Sequence, residues 1–139
     1  MKKNKNLLLR AITVISFTAF LMPGISIAQQ TAIKRTTLQR HDLSVSGYEA
    51  IQVRIDFEKG AAFGKHTHPG EEVIYVLEGV FIYEVDGELP LTLKAGDTLF
   101  IPAGTAHAAR NIGKGKAVEL ATYIVEKGKP LLEMVNDNH

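Results

Sequence analysis

An all-β domain is the fold that this 139-residue sequence predicts, and three features carry the expectation. Apolar and polar residues alternate along residues 48–58, and short apolar runs recur between Gly, Pro and Asp punctuation. No stretch after residue 28 combines a 3.6-residue apolar period with helix caps. Many short strands at regular spacing indicate a sandwich or a barrel.

The elements follow in chain order. Residues 1–28 read as an export signal: Lys2, Lys3 and Lys5 open it, a largely apolar stretch runs from Ala11 to Met22, and Pro23-Gly24 breaks the chain. Ser26 and Ala28 then place small residues at the −3 and −1 positions, so cleavage is expected after Ala28, leaving one domain over residues 29–139. The apolar stretch is shorter than the roughly 20 residues that a membrane span needs, so no stable span is expected after cleavage; a retained anchor is the alternative. From Tyr48, Ile51, Val53, Ile55 and Phe57 fall on one side of a half-buried strand. Val73 to Leu77 and Val80 to Val85 are apolar runs, and Asp86-Gly87 predicts a type I′ hairpin pairing the second run with Leu89 to Leu93. After the turn at Lys94–Asp97 come Leu99 to Ile101, the Pro102-Ala103-Gly104 turn, a segment through His107, the turn at Gly113–Lys116 and a long strand from Val118 to Val125; Pro130 to Val135 closes the series.

Composition narrows the function. With 45% hydrophobic and 22% charged residues the chain is an ordinary globular protein. Of 16 basic residues, Lys2, Lys3, Lys5 and Arg10 lie in the first 28 residues, which carry no acid; the remainder has 12 basic against 15 acidic residues. No basic excess is left to grip nucleic acid, so that partner is set aside. There is no cysteine, so thiolate metal sites, cysteine nucleophiles and disulfides are excluded.

The chemistry lies in two segments that are otherwise Gly/Pro punctuation around apolar strands. In a strand, i and i+2 share a face, so His66 and His68 point to one spot. Pro69-Gly70 turns the chain, and the next strand can return Glu72 toward that spot. His107, after its own Pro/Gly turn, can complete the set. Three imidazoles and a carboxylate suit one divalent transition metal, namely zinc, copper, iron, manganese or nickel, and not calcium or magnesium. Alone, each feature has a plain structural reading: His-x-His is common on exposed strands, Glu71 and Glu72 can be a solvated pair, and His107 a loop residue, as His41 and His139 are expected to be.

The spacing resembles the cupin superfamily. Gly60 to Gly79 follows its first motif, G-x5-H-x-H-x3-E-x6-G, and Gly96 to Asn111 its second, G-x5-P-x-G-x2-H-x3-N; 16 residues separate them, as in small single-domain bacterial cupins of the quercetin-dioxygenase-like group. The resemblance implies a small jelly-roll β-barrel with the metal inside and places His66, His68, Glu72 and His107 at the ligand positions; Glu71 takes the place of Glu72 if the turn is one residue longer. Gly60, Gly79, Gly96 and Gly104 are then turn or close-approach positions, and Asn111 bonds backbone. Tyr75, Tyr83 and Tyr123 are strand residues expected in the core, a hydroxyl reaching the cavity being the alternative, and Arg110 is expected to be solvated, though it is the nearest candidate to hold an anionic substrate. The implied activities span dioxygenases, isomerases, lyases and binding proteins. A metal-dependent enzyme, dioxygenase-like, acting on a small enol, phenol or keto compound is the expected function, with Glu72 also available as a catalytic general base. The alternatives are a sensor or carrier of a small sugar-like or aromatic ligand, and a metal-free structural barrel. A periplasmic or secreted location follows from the leader, and a homodimer from pairing the edge of the strand at Tyr48–Glu58 with a second copy.

Overall fold

The structure is a computed structural model that describes residues 32–135; the predicted export signal and its cleavage point, with residues 136–139, lie outside the described residues. Ten strands occur in the order β1 (Ile33–Asp42), β2 (Tyr48–Phe57), β3 (Ala62–Thr67), β4 (Gly70–Glu78), β5 (Val80–Val85), β6 (Leu91–Lys94), β7 (Thr98–Ile101), β8 (His107–Asn111), β9 (Ala117–Glu126) and β10 (Glu133–Met134), with no helix among the described residues. They form two five-stranded antiparallel sheets, β1-β2-β9-β4-β7 and β10-β3-β8-β5-β6. The core lies between them: Ile51, Val53, Ile55 and Phe57 of β2 and Ile74 and Val76 of β4 face Phe81 and Tyr83 of β5.

The expected alternation of β2 therefore holds, and four details of the expected fold are corrected. The two sheets share no strand, so the domain is a jelly-roll-like sandwich rather than a closed barrel. Closure would need β6 and β7 to join the sheets, but the turn at Lys94–Asp97 sends these four-residue strands into different sheets. The turn at Asp86-Gly87 is not type I′: Val85 O accepts from Glu88 N, but only Gly87 has positive φ, whereas type I′ requires it at both central residues. The β5–β6 ladder starts farther out, at Tyr83 opposite Leu91, since Pro90 has no N–H to give it. β2 is not an edge, because β1, a strand not foreseen, pairs along its whole length while β9 takes its other side. Mostly exposed and rich in charge, β1 carries the composition of a protected edge and no clean alternation.

Two local irregularities set up the interior around β3 and β4. Phe63 pairs with Ala109 and His66 with His107, so three steps on β3 match two on β8. This bulge lets Phe63 and His66, which strict alternation would place on opposite faces, both turn inward, with ring centroids 4.7 Å apart. Gly70 begins β4 beside Val125 of β9, and a Cβ there would meet Ile124 O at 2.0 Å. Its role is close approach, two residues before Glu72.

Gly70→Ala should therefore destabilise the domain by about 3 kcal/mol or more, since rigid backbone occupies the space. Gly60→Ala, with φ of 74° and no atom near its Cβ, should cost only about 1 kcal/mol. Chemical denaturation of both variants checks the order.

Candidate metal centre

His66 stands at the end of β3, His68 just beyond it, Glu72 on β4 and His107 at the start of β8, and the fold brings all four into the interior with 5% exposure or less. Gly104 N donates to His68 O, tying the second motif's turn to the first. One ring nitrogen from each histidine lies within 4.8 Å of the others.

Each ring is held through its far nitrogen. Nδ1 of His66 donates to Gly64 O (2.9 Å), Nδ1 of His68 to Leu131 O (2.6 Å) and Nδ1 of His107 to Thr105 O (2.9 Å). A carbonyl only accepts, so Nδ1 carries the hydrogen and the neutral ring leaves Nε2 as a lone pair. Two of these carbonyls lie two residues before their histidine, Gly64 at the bulge within β3 and Thr105 just after the Pro102-Ala103-Gly104 turn; the third comes from the C-terminal segment leading into β10.

The near nitrogens face a carboxylate. Glu72 Oε2 lies 3.0 Å from His107 Nε2 and 3.4 Å from His68 Nε2, without the alignment of hydrogen bonds. These three buried atoms have no hydrogen-bond partner among the described residues. Buried acceptors that converge without a donor are an arrangement that a cation would satisfy, and the three histidines could hold a metal ion. Burial, reinforced by His107, lowers His66 to about 4, so that ring is neutral at pH 7. Burial alone would raise Glu72; the lowering toward about 2 requires a hydrogen or positive charge at the His107 and His68 Nε2 atoms, which a bound cation would supply. An ionised carboxylate and a neutral imidazole are the protonation states that a divalent ion requires. Glu71, the alternative acid, is only half-buried and lies on the other side of β4.

A cavity of about 10 Å³, room for one water or ion, opens beside His66, Glu72 and His107. Tyr83 and Tyr123 line it, and Tyr75, 45% exposed, does not. Arg110 points away: along β8, buried His107, Ala109 and Asn111 alternate with it, and it is exposed on the outer face. The cation at the cavity is Arg35 of β1, whose Nη2 donates to Tyr123 Oη at 2.9 Å while its guanidinium carbon lies 5.9 Å from the Phe63 and Tyr123 ring centres. Asn111 bonds backbone, donating to Phe57 O, Glu58 O and Gly115 O.

Glu119 is the wall residue that sequence reading passed over. It is 2% exposed, lines the cavity and accepts a hydrogen bond from Tyr83 Oη. Burial raises its carboxyl to about 8, against the opposing hydrogen bond from Tyr83. The alternation of β9 carries the signal, since Glu119 shares the inward row with Ala121, Tyr123 and Val125. Arg35 had no such signal, because its strand is an irregular edge.

The cupin domain profile matches residues 53–125, more than half of the chain. Germin-like protein 1-1 of Oryza sativa subsp. japonica is 37% identical over 75 residues, which are 50% of this chain and 35% of that protein. A germin-like protein of Morus alba is 29% identical over 127 residues, 84% of this chain and 60% of its own length. The chain thus spans from about a third to three fifths of these relatives. Among solved structures, the DMSP lyase DddQ of Ruegeria pomeroyi superposes with a TM-score of 0.69 at 18% identity, covering 84% of this chain and 58% of the lyase, a likeness of fold.

A carboxyl neutral in the fold up to about pH 8 but ionised above its ordinary 4.5 when unfolded contributes stability that is present below pH 4.5 and lost as pH rises through 8. Glu119→Gln should therefore gain stability relative to the parent chain between pH 5 and pH 8, read from unfolding midpoints of metal-free protein.

Proposed function

Because the chain belongs to the cupin domain family, we propose that it is an exported, metal-dependent enzyme acting on a small enol, phenol or keto compound, with His66, His68, His107 and Glu72 holding one divalent transition metal. The observation that carries this reading is the set of converging, partnerless acceptors His68 Nε2, Glu72 Oε2 and His107 Nε2. Bound there, the ion supplies a Lewis-acid centre of net charge about +1 that stabilises a developing oxyanion and, as iron or copper, supports dioxygen chemistry. The short 16-residue spacing between the two motifs supports the quercetin-dioxygenase-like group, within which a dioxygenase-like subclass is the favoured activity. The leader reading of residues 1–28 supports a periplasmic or secreted location.

The chain's own residues do the rest. The three carbonyl-bound rings fix the ligand geometry, and Glu72, as the carboxylate of the set, is the member that can also accept a proton. Arg35 takes the anion-holding role for which Arg110 was the nearest candidate in the sequence. It sits at the mouth, bonded to Tyr123 Oη, and has no carboxylate partner among the described residues. The cavity has room for one water, and the apolar Ile55, Phe57 and Phe63 that line it keep bulk water out. Turnover is favoured over mere binding because the cavity wall carries a second buried carboxyl, Glu119, which a carrier does not need.

His66→Ala, His68→Ala and His107→Ala should each weaken metal binding at least as much as the roughly 10- to 100-fold typical of losing a partner behind a ligand, with the sandwich still folded. Glu72→Gln should do likewise and Glu71→Gln should be nearly silent. Metal analysis of the purified full chain, followed by oxygen-uptake screening, tests the reading; a full metal complement in His68→Ala would overturn it.

A further inference from the structure

Glu119 occupies a place where the fold asks for an apolar side chain. Its strand neighbours across the sheet are Ile55 of β2 and Val76 of β4, and along its own inward row it stands between Ala117 and Ala121. It makes no ion pair among the described residues, and its bond from Tyr83 Oη spans the two sheets. Burying a carboxyl there is costly, and a Leu or Met of similar size would fill the position without that cost. The same side chain lines the cavity that His66, Glu72 and His107 border, together with Arg35 and Tyr123.

We propose that Glu119 is a proton-donating catalytic residue of this centre, oriented by Tyr83, and that the ligand is accordingly a small compound that passes through an enolate. The proposal rests on the metal-dependent reading above and deepens it. In the step, the Glu119 O–H bond breaks and a C–H bond forms at the enolate carbon, whose electron pair makes the new bond as the C–O oxygen returns to a carbonyl. The carboxylate left behind takes a proton from water admitted at the Arg35 mouth, or, in the reverse direction, from the α-carbon of the next ligand. No oxidant or reductant is consumed. Tyr83 is a positioning residue: its O–H bond to Oε2 orients the carboxyl toward the cavity.

The experiment uses the full chain with zinc and with pyruvate as an enolisable probe. Infrared spectra at pH 7 should show a protonated-carboxyl band that shifts in deuterium oxide, vanishes in Glu119→Gln and moves in Tyr83→Phe, whether or not zinc is present. Exchange of pyruvate α-hydrogen for deuterium, followed by NMR, should fall about 100-fold or more in Glu119→Gln at unchanged zinc content. A chain that binds no zinc at all would refute the metal reading and leave the infrared arm to judge Glu119. Zinc-loaded Glu119→Gln that exchanges pyruvate as fast as the parent chain, no exchange above water by the zinc-loaded parent chain, or no protonated-carboxyl band in the parent chain, would overturn the proposal.

Discussion

The convergence of acceptors at His68 Nε2, His107 Nε2 and Glu72 Oε2 is the constraint on which the rest of the interior depends. Each such atom left dry and unpaired costs about 1–3 kcal/mol or more, so nothing in the apolar core would gather them spontaneously. The surrounding backbone has to hold them. It does so by turning each ring about its Nδ1 hydrogen bond, with Gly64 O, Thr105 O and Leu131 O as the fixed points. The carbonyls thus fix the tautomer and orientation that a histidine needs in order to hold a metal.

Several features that look like irregularities are consequences of that arrangement. The bulge between Phe63 and His66 frees the Gly64 carbonyl for the imidazole and turns both aromatic rings inward. Gly70 brings β4 against β9 so closely that no side chain fits, and this proximity places Glu72 directly opposite Tyr123. Asn111 closes the far end of β8 by donating to three carbonyls of two other segments, which keeps the strand carrying His107 in register with the β2–β3 connection. Stability comes instead from the apolar rows of β2, β4 and β5, on which the polar centre makes no demand.

Much of this was legible in the sequence, and what was not has a physical reason. The alternation of Ile51, Val53, Ile55 and Phe57 reads directly as one buried face, and the spacing of His66, His68, Glu72 and His107 shows that four polar residues are set among strand and turn residues that do not require them. The structure brings those four together. β1 was illegible because an edge strand with one sheet face in solvent needs no hydrophobic pattern, and with it went Arg35. Arg110 misled because sequence proximity to His107 is not spatial proximity: in a strand, three residues apart means opposite faces. Sandwich and barrel were indistinguishable because closure is decided at the Lys94–Asp97 corner, where strand length and turn geometry, not alternation, direct the chain.

The two carboxyls of the interior show how one small volume can keep opposite protonation states. Glu72 and Glu119 lie on adjacent strands and border the same cavity, with Glu119 pushed up to about 8 by burial and Glu72 lowered once a positive charge sits at the Nε2 atoms that face it. Both are desolvated to a similar degree, so burial cannot be what separates them. The difference lies in the neighbours: Glu72 faces two imidazoles, whereas Glu119 faces a single tyrosine hydroxyl and the apolar flanks of Ile55 and Val76. Titratable groups whose surroundings drive them apart are how a single site comes to hold both a base and an acid at one pH. A divalent ion at the histidines would deepen this asymmetry on the Glu72 side, because its charge acts most strongly on the carboxylate that touches it. Holding a metal at the histidines needs no second carboxyl, so Glu119 in the inward row of β9 is the feature on which the proposed proton transfer, as distinct from metal binding alone, depends.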